Sequence, residues 1–73
     1  MTESQAFGEM ANAIYEMHRL LKDIKTLQRR IKNPDEARKE IRRACVGRLQ
    51  NALRRAQEAM SEWLSKMEEN PQS

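Results

Sequence analysis

Cys45 and His18 are each the only residue of their type in the chain. Paired, a thiol and an imidazole can serve as nucleophile and base, but the imidazole then needs a carboxylate or amide to orient it. The helical neighbours of His18 are Tyr15, three residues before, and Lys22, four after. Neither can play that part. The expected roles are therefore structural: Cys45 in a helix seam, where a buried thiol is inert, and His18 beside an apolar stripe. One cysteine and one histidine are too few for a Cys/His zinc site, and a lone cysteine forms no intrachain disulfide. Glu9 and Glu16 share a helix face, as do Glu58 and Glu62, but no Glu-x-x-His motif joins them, so a di-iron carboxylate bundle is not expected. No catalytic residue, metal site, cofactor or small-molecule substrate is anticipated, and the chain does not read as an enzyme.

The elements around these residues are helices. Among 73 residues 34% are charged, with only two glycines and two prolines. That composition suits long solvated helices, and the length allows one domain with a modest core that often needs a partner. The N-terminus carries no basic region followed by an apolar run, and no stretch approaches the ~18 apolar residues of a membrane span. A cytoplasmic protein is the expectation.

The break between helices falls at Lys32-Asn33-Pro34-Asp35-Glu36. Proline disfavours helical backbone in the residue before it and is well tolerated as the first residue of a new helix. Asn33 is placed as N-cap, with Asp35 and Glu36 at the positive end of the new helix dipole. Arg29, Arg30 and Lys32 put positive charge at the closing end of the preceding helix.

The first helix is expected over about residues 4–32, with Ser4 as its cap. Three columns spaced by seven run along it: Phe7, Ile14, Leu21 and Gln28; Met10, Met17, Ile24 and Ile31; Ala6, Ala13, Leu20 and Leu27. This is a helical period, and the stripe is wider than a two-helix seam requires. The second helix is expected over about 34–69, with a frayed tail at 70–73. Its apolar positions include Ala37, Ile41, Cys45, Leu49, Ala52, Leu53, Ala56, Met60, Trp63 and Met67. At ~1.5 Å per residue the two helices would measure roughly 43 and 54 Å.

Folded antiparallel about Asn33, residues whose numbers sum to about 67 become neighbours. Ile14 then meets Leu53, Met17 meets Leu49, and Phe7 meets Met60 and Trp63. The expected fold is all-α, a single helical hairpin, with the surplus apolar columns closed by a second hairpin in a four-helix bundle.

Charge is polarised along this rod. From Arg19 to Arg55 there are thirteen Lys or Arg against four Asp or Glu, a net +9, while the remainder holds seven glutamates against Lys66, a net −6. A hairpin gathers the first set at its turn and the second at its open end. Head-to-tail homodimerisation would pair them.

Two functional readings follow. The first is a protein-interaction module, a small helical adaptor or inhibitory regulator. Its candidate surface is the Phe7, Met10, Met17, Met60, Trp63 and Met67 end, because methionine reshapes readily and tryptophan is a common hot spot. The alternative is RNA or DNA binding through the turn end, by Arg29, Arg30, Lys32, Arg38, Lys39, Arg42 and Arg43. No aromatic residue interleaves those arginines to stack bases, and no zinc-finger, bZIP or RNP pattern is present. In outline the chain resembles small plasmid and phage helical-hairpin regulators, including the RNA-binding hairpin dimers that control plasmid copy number. The resemblance is one of architecture over the whole chain; no motif residues are shared, so no functional residues carry over.

Overall fold

The computed structural model describes residues 1–69. Helix α1 (Glu3–Arg30) runs along a rod, and the chain reverses between its C-cap Ile31 and Asn33, the N-cap of the next helix. The return limb is α2 (Pro34–Ile41), a π turn (Arg42–Val46) and α3 (Gly47–Glu69). Backbone angles stay helical across both junctions, so the three pieces form one uninterrupted limb. The hairpin measures 54 × 15 × 13 Å, and no strand occurs among the described residues. The tail at 70–73 lies outside them.

The turn follows from the residues that form it. The Asn33 Oδ1 accepts from the backbone N–H of Asp35 at 2.9 Å and of Glu36 at 3.2 Å, with Pro34 opening the helix behind it. These contacts satisfy donors that the first helical turn leaves without partners. The end of α1 falls slightly short of the expected boundary at 32. Ile31 has extended backbone, φ −102° and ψ 109°, and its N–H closes on the Leu27 carbonyl.

The start of α1 differs from expectation. Thr2, not Ser4, is the N-cap. Its hydroxyl accepts from the Gln5 N–H, and the Gln5 side chain accepts in return from the Thr2 N–H. This reciprocal capping box needs a Gln or Glu three residues on. Thr2 has one in Gln5, whereas Ser4 has Phe7.

Small residues dominate the seam between the limbs. Ala6, Ala13 and Leu20 on α1 face Cys45, Ala52, Ala56 and Ala59 on the return limb, and all are buried. On α1 they recur every seven residues, and on the return limb at intervals of seven, four and three, all of them positions of a heptad seam. Among the described residues Leu20 is the only large side chain that is fully covered. The hairpin therefore spends its alanines on close helix contact and leaves its larger apolar groups nearer the surface.

The π turn has a readable cause. Ala37, Ile41, Cys45 and Leu49 are spaced four, four and four, where a coiled-coil seam alternates four with three. The segment therefore holds one residue more than the seam calls for. A π turn, closed by i→i+5 bonds, absorbs one extra residue without breaking the helix. Ala37 and Cys45 are buried on either side of Ile41, and Leu49 is half-buried beyond them.

Candidate interaction surface

Each limb carries a second apolar column flanking the seam. On α1 it is Phe7, Ile14 and Leu21; on the return limb it is Val46, Leu53, Met60 and Met67. The opposite flanks are polar: Glu9, Glu16 and Asp23 on α1, and Arg48, Arg55 and Glu62 on α3. Two contacts fix which flanks share a side. The Arg48 guanidinium reaches the Glu16 carboxylate at 3.4 Å, joining the polar flanks. The Phe7 ring meets that of Trp63, one turn beyond Met60, with centroids 5.3 Å apart, which sets the Phe7 column on the Met60 side of the return limb. A groove lined by Glu9, Arg55, Glu58 and Glu62 continues the polar side toward the open end. The hairpin thus has one polar broad face and one apolar broad face.

The apolar face is uncovered. Phe7, Ile14, Leu21, Leu53, Met60 and Leu64 are each between 44% and 49% exposed. On a chain whose buried core is mostly alanine, these are among the largest apolar side chains present. This row of half-exposed apolar side chains is the candidate interaction surface.

Of the residues expected to form a partner surface at the open end, Phe7 and Met60 are exposed, while Met10, Met17, Trp63 and Met67 are half-buried beside the seam. Ile14, Leu21 and Leu53 extend the face well beyond that end, Leu64 adds to it at the open end, and none of the four was among the expected set. The signal for the first two was already present, since Ile14 and Leu21 follow Phe7 at intervals of seven. A column at the edge of the stripe is core or surface according to what lies beside it, and the alanine column takes the core.

The expected basic residues Arg29, Arg30, Lys32, Arg38, Lys39, Arg42 and Arg43 are all exposed at the turn end. Arg38 pairs with Asp35 at 2.7 Å, and Arg43 pairs with Glu40. The Arg43 hydrogen bond and charge hold the Glu40 carboxyl below its usual range, and Glu40 raises Arg43 in return. Among the described residues no ion pair involves Arg29, Arg30, Lys32, Lys39 or Arg42. At the open end Lys66 lies between Glu62 at 3.9 Å and Glu69 at 3.6 Å.

The residues that might have carried chemistry are dispersed. Cys45 is buried in the seam, by a groove lined with Asp23, Thr26, Leu27, Arg30, Ala44 and Arg48. His18 is exposed and does not line that groove. Among the described residues no three His, Cys, Asp or Glu side chains are grouped to hold a metal ion, and no helix is long and apolar enough to cross a membrane.

Comparison with known proteins adds no relative: no family model matches this chain, and neither does any curated protein or solved structure.

Proposed function

We propose that this chain is a non-enzymatic protein-interaction module that works through its apolar broad face, and that a second copy of the chain occupies that face to form a four-helix bundle. The observation that carries the reading is the row of half-exposed Phe7, Ile14, Leu21, Leu53 and Met60 on one side of a hairpin. The face is of the right size: the hairpin measures 54 Å by 15 Å, and standard interfaces bury roughly 800 Å² per partner. Burying apolar surface stabilises by about 25 cal/mol per Å² before association costs are met. A small chain with an alanine-rich core has good reason to gain stability this way.

Light scattering on the wild-type protein tests this directly. The expected result is twice the 8.6 kDa chain mass, with Leu53→Glu reducing it to one chain while helix content persists. A wild-type monomer at tens of micromolar would overturn the reading, and capture of a different helical protein by such a monomer would reassign the face.

A second reading, nucleic-acid binding at the turn end, is favoured by one observation. Arg29, Arg30, Lys32, Lys39 and Arg42 are exposed and have no ion pair among the described residues. Binding to a labelled RNA duplex at several salt concentrations decides it. A slope of log K against log salt steeper than about −2 supports phosphate contact, and absence of binding at low salt rejects it.

A further inference from the structure

We infer that the two hairpins pack head to tail, with the two-fold axis passing beside Ile14 and Leu53, so that each basic turn lies against its partner's acidic open end. The inference rests on the reading that a second copy closes the apolar face.

The register comes from the columns themselves. Ile14 is the middle member of Phe7, Ile14 and Leu21, and Leu53 is the middle one of Val46, Leu53 and Met60, the three return-limb members level with them; Met67 lies beyond Phe7 toward the open end. Antiparallel packing of the limbs brings Ile14 and Leu53 to the same level of the rod, so both columns share one centre. A two-fold axis at that level sets Ile14 on the partner's Ile14 and Leu53 on the partner's Leu53. Phe7 then meets the partner's Leu21, and Met60 meets the partner's Val46. Every column member but Met67 then meets an apolar partner residue, and Met67 lies level with the partner's Lys39. Sliding by one heptad would leave a layer uncovered on each hairpin.

Side-chain volume points the same way. Head to tail, each outer layer combines Phe7 and Met60 of one hairpin with Leu21 and Val46 of the other. With both turns at one end, two phenylalanines and two methionines would crowd the open-end layer, and leucine with valine would underfill the other. Bundle cores tolerate neither overpacking nor voids well.

Charge supplies an independent argument. The +9 of residues 19–55 and the −6 of the remainder lie toward opposite ends of one rod. Placing both turns together would concentrate positive charge at one end, whereas head-to-tail packing sets unlike charges together. The same register brings Lys25 beside the partner's Glu3, and Lys39 beside the partner's Glu68.

Two measurements test the arrangement. In a Cys45→Ala background, Asn33→Cys carries a single spin label at the turn. Asn33 lies nineteen residues from Ile14, about 29 Å at ~1.5 Å per residue, so the label-to-label distance in the dimer is expected on the order of 55–60 Å. A distance below about 25 Å, as for turns on adjacent packed limbs, overturns the head-to-tail arrangement while leaving the dimer standing. The second measurement uses the wild-type sequence. Isotopically labelled and unlabelled protein are mixed and joined with a zero-length carbodiimide reagent. Intermolecular Lys25–Glu3 and Lys39–Glu68 links are expected, and their absence from a dimer of confirmed mass counts against the register. A chain that stays monomeric instead defeats the underlying reading, which the mass measurement reports separately.

Discussion

Phe7 and Trp63 lie with ring centroids 5.3 Å apart and planes tilted by 57°, tying the second turn of α1 to the end of α3. The geometry is within the range that aromatic pairs favour, where the edge of one ring approaches the face of the other. It also joins the two limbs at the open end of the hairpin. Lys66 lies one turn further along α3, between Glu62 and Glu69.

Phe7→Ala should therefore loosen the open end before the rest of the rod. The expected cost is about 0.5–1.5 kcal/mol for the aromatic pair beyond the area lost. Trp63 is the only tryptophan, so its fluorescence reports this contact without ambiguity. A red-shifted emission maximum is expected in Phe7→Ala under conditions where circular dichroism still shows a helical protein. An unchanged spectrum would mean that the ring pair does not hold the end closed.

The alanine seam makes the opposite kind of prediction, that adding apolar volume destabilises. Ala13 and Ala52 have no exposed surface, and their small size is what lets the limbs approach. Ala13→Leu should cost about 1–3 kcal/mol through overpacking, read as a lower midpoint in urea unfolding. Asn12→Leu, at an exposed position of α1 beside Glu9 and Glu16 on the polar flank, should be close to neutral and serves as the control.

Much of this hairpin is legible in its residues. Pro34, Asn33 and the acidic residues after them specify the turn by local rules alone, and the spacing of Ala6, Ala13 and Leu20 specifies one face. The cap at Thr2 is equally local, because Thr2 has a glutamine three positions on and Ser4 does not. What local pattern does not decide is the rank of competing apolar columns. Phe7, Ile14 and Leu21 are more hydrophobic than Ala6 and Ala13, yet the alanines take the centre. Close packing of two limbs depends on which residues are small on both sides at once, a property of the pair of helices and not of either stripe.

The π turn is a case where a pattern was present but needed a structural meaning. The run of four-residue intervals from Ala37 to Leu49 averages out, over the full limb, to an ordinary straight helix; locally it is one residue too many. Deleting Ala44 should convert the π turn into regular α-helix. It would restore a three-residue interval between Ile41 and Cys45 and keep Glu40 and Arg43 three apart. Helix content should be retained and the thermal midpoint should not fall. A deletion variant that melts well below wild type would show that the extra residue is required for the turn-end packing, where Gln28, Ile31, Ala37 and Ile41 line a common groove.

The Glu40–Arg43 pair, just ahead of and within that turn, gives a pH-dependent prediction. Arg43 hydrogen-bonds the Glu40 carboxylate and holds its pKa below the ordinary value of 4.5. A carboxyl whose folded pKa is depressed contributes stability that is present above its unfolded value. That stability disappears as pH falls through the folded one. Wild type should therefore exceed Glu40→Gln in thermal stability at pH 6. The margin should be small, because the pair is exposed and closes within a single helical turn. Below pH 4 the two melting curves should converge as Glu40 takes up its proton. Added salt at pH 6 should narrow the gap by screening. A difference that persists unchanged into the acid range would assign the effect of Glu40→Gln to helix packing instead of to its charge.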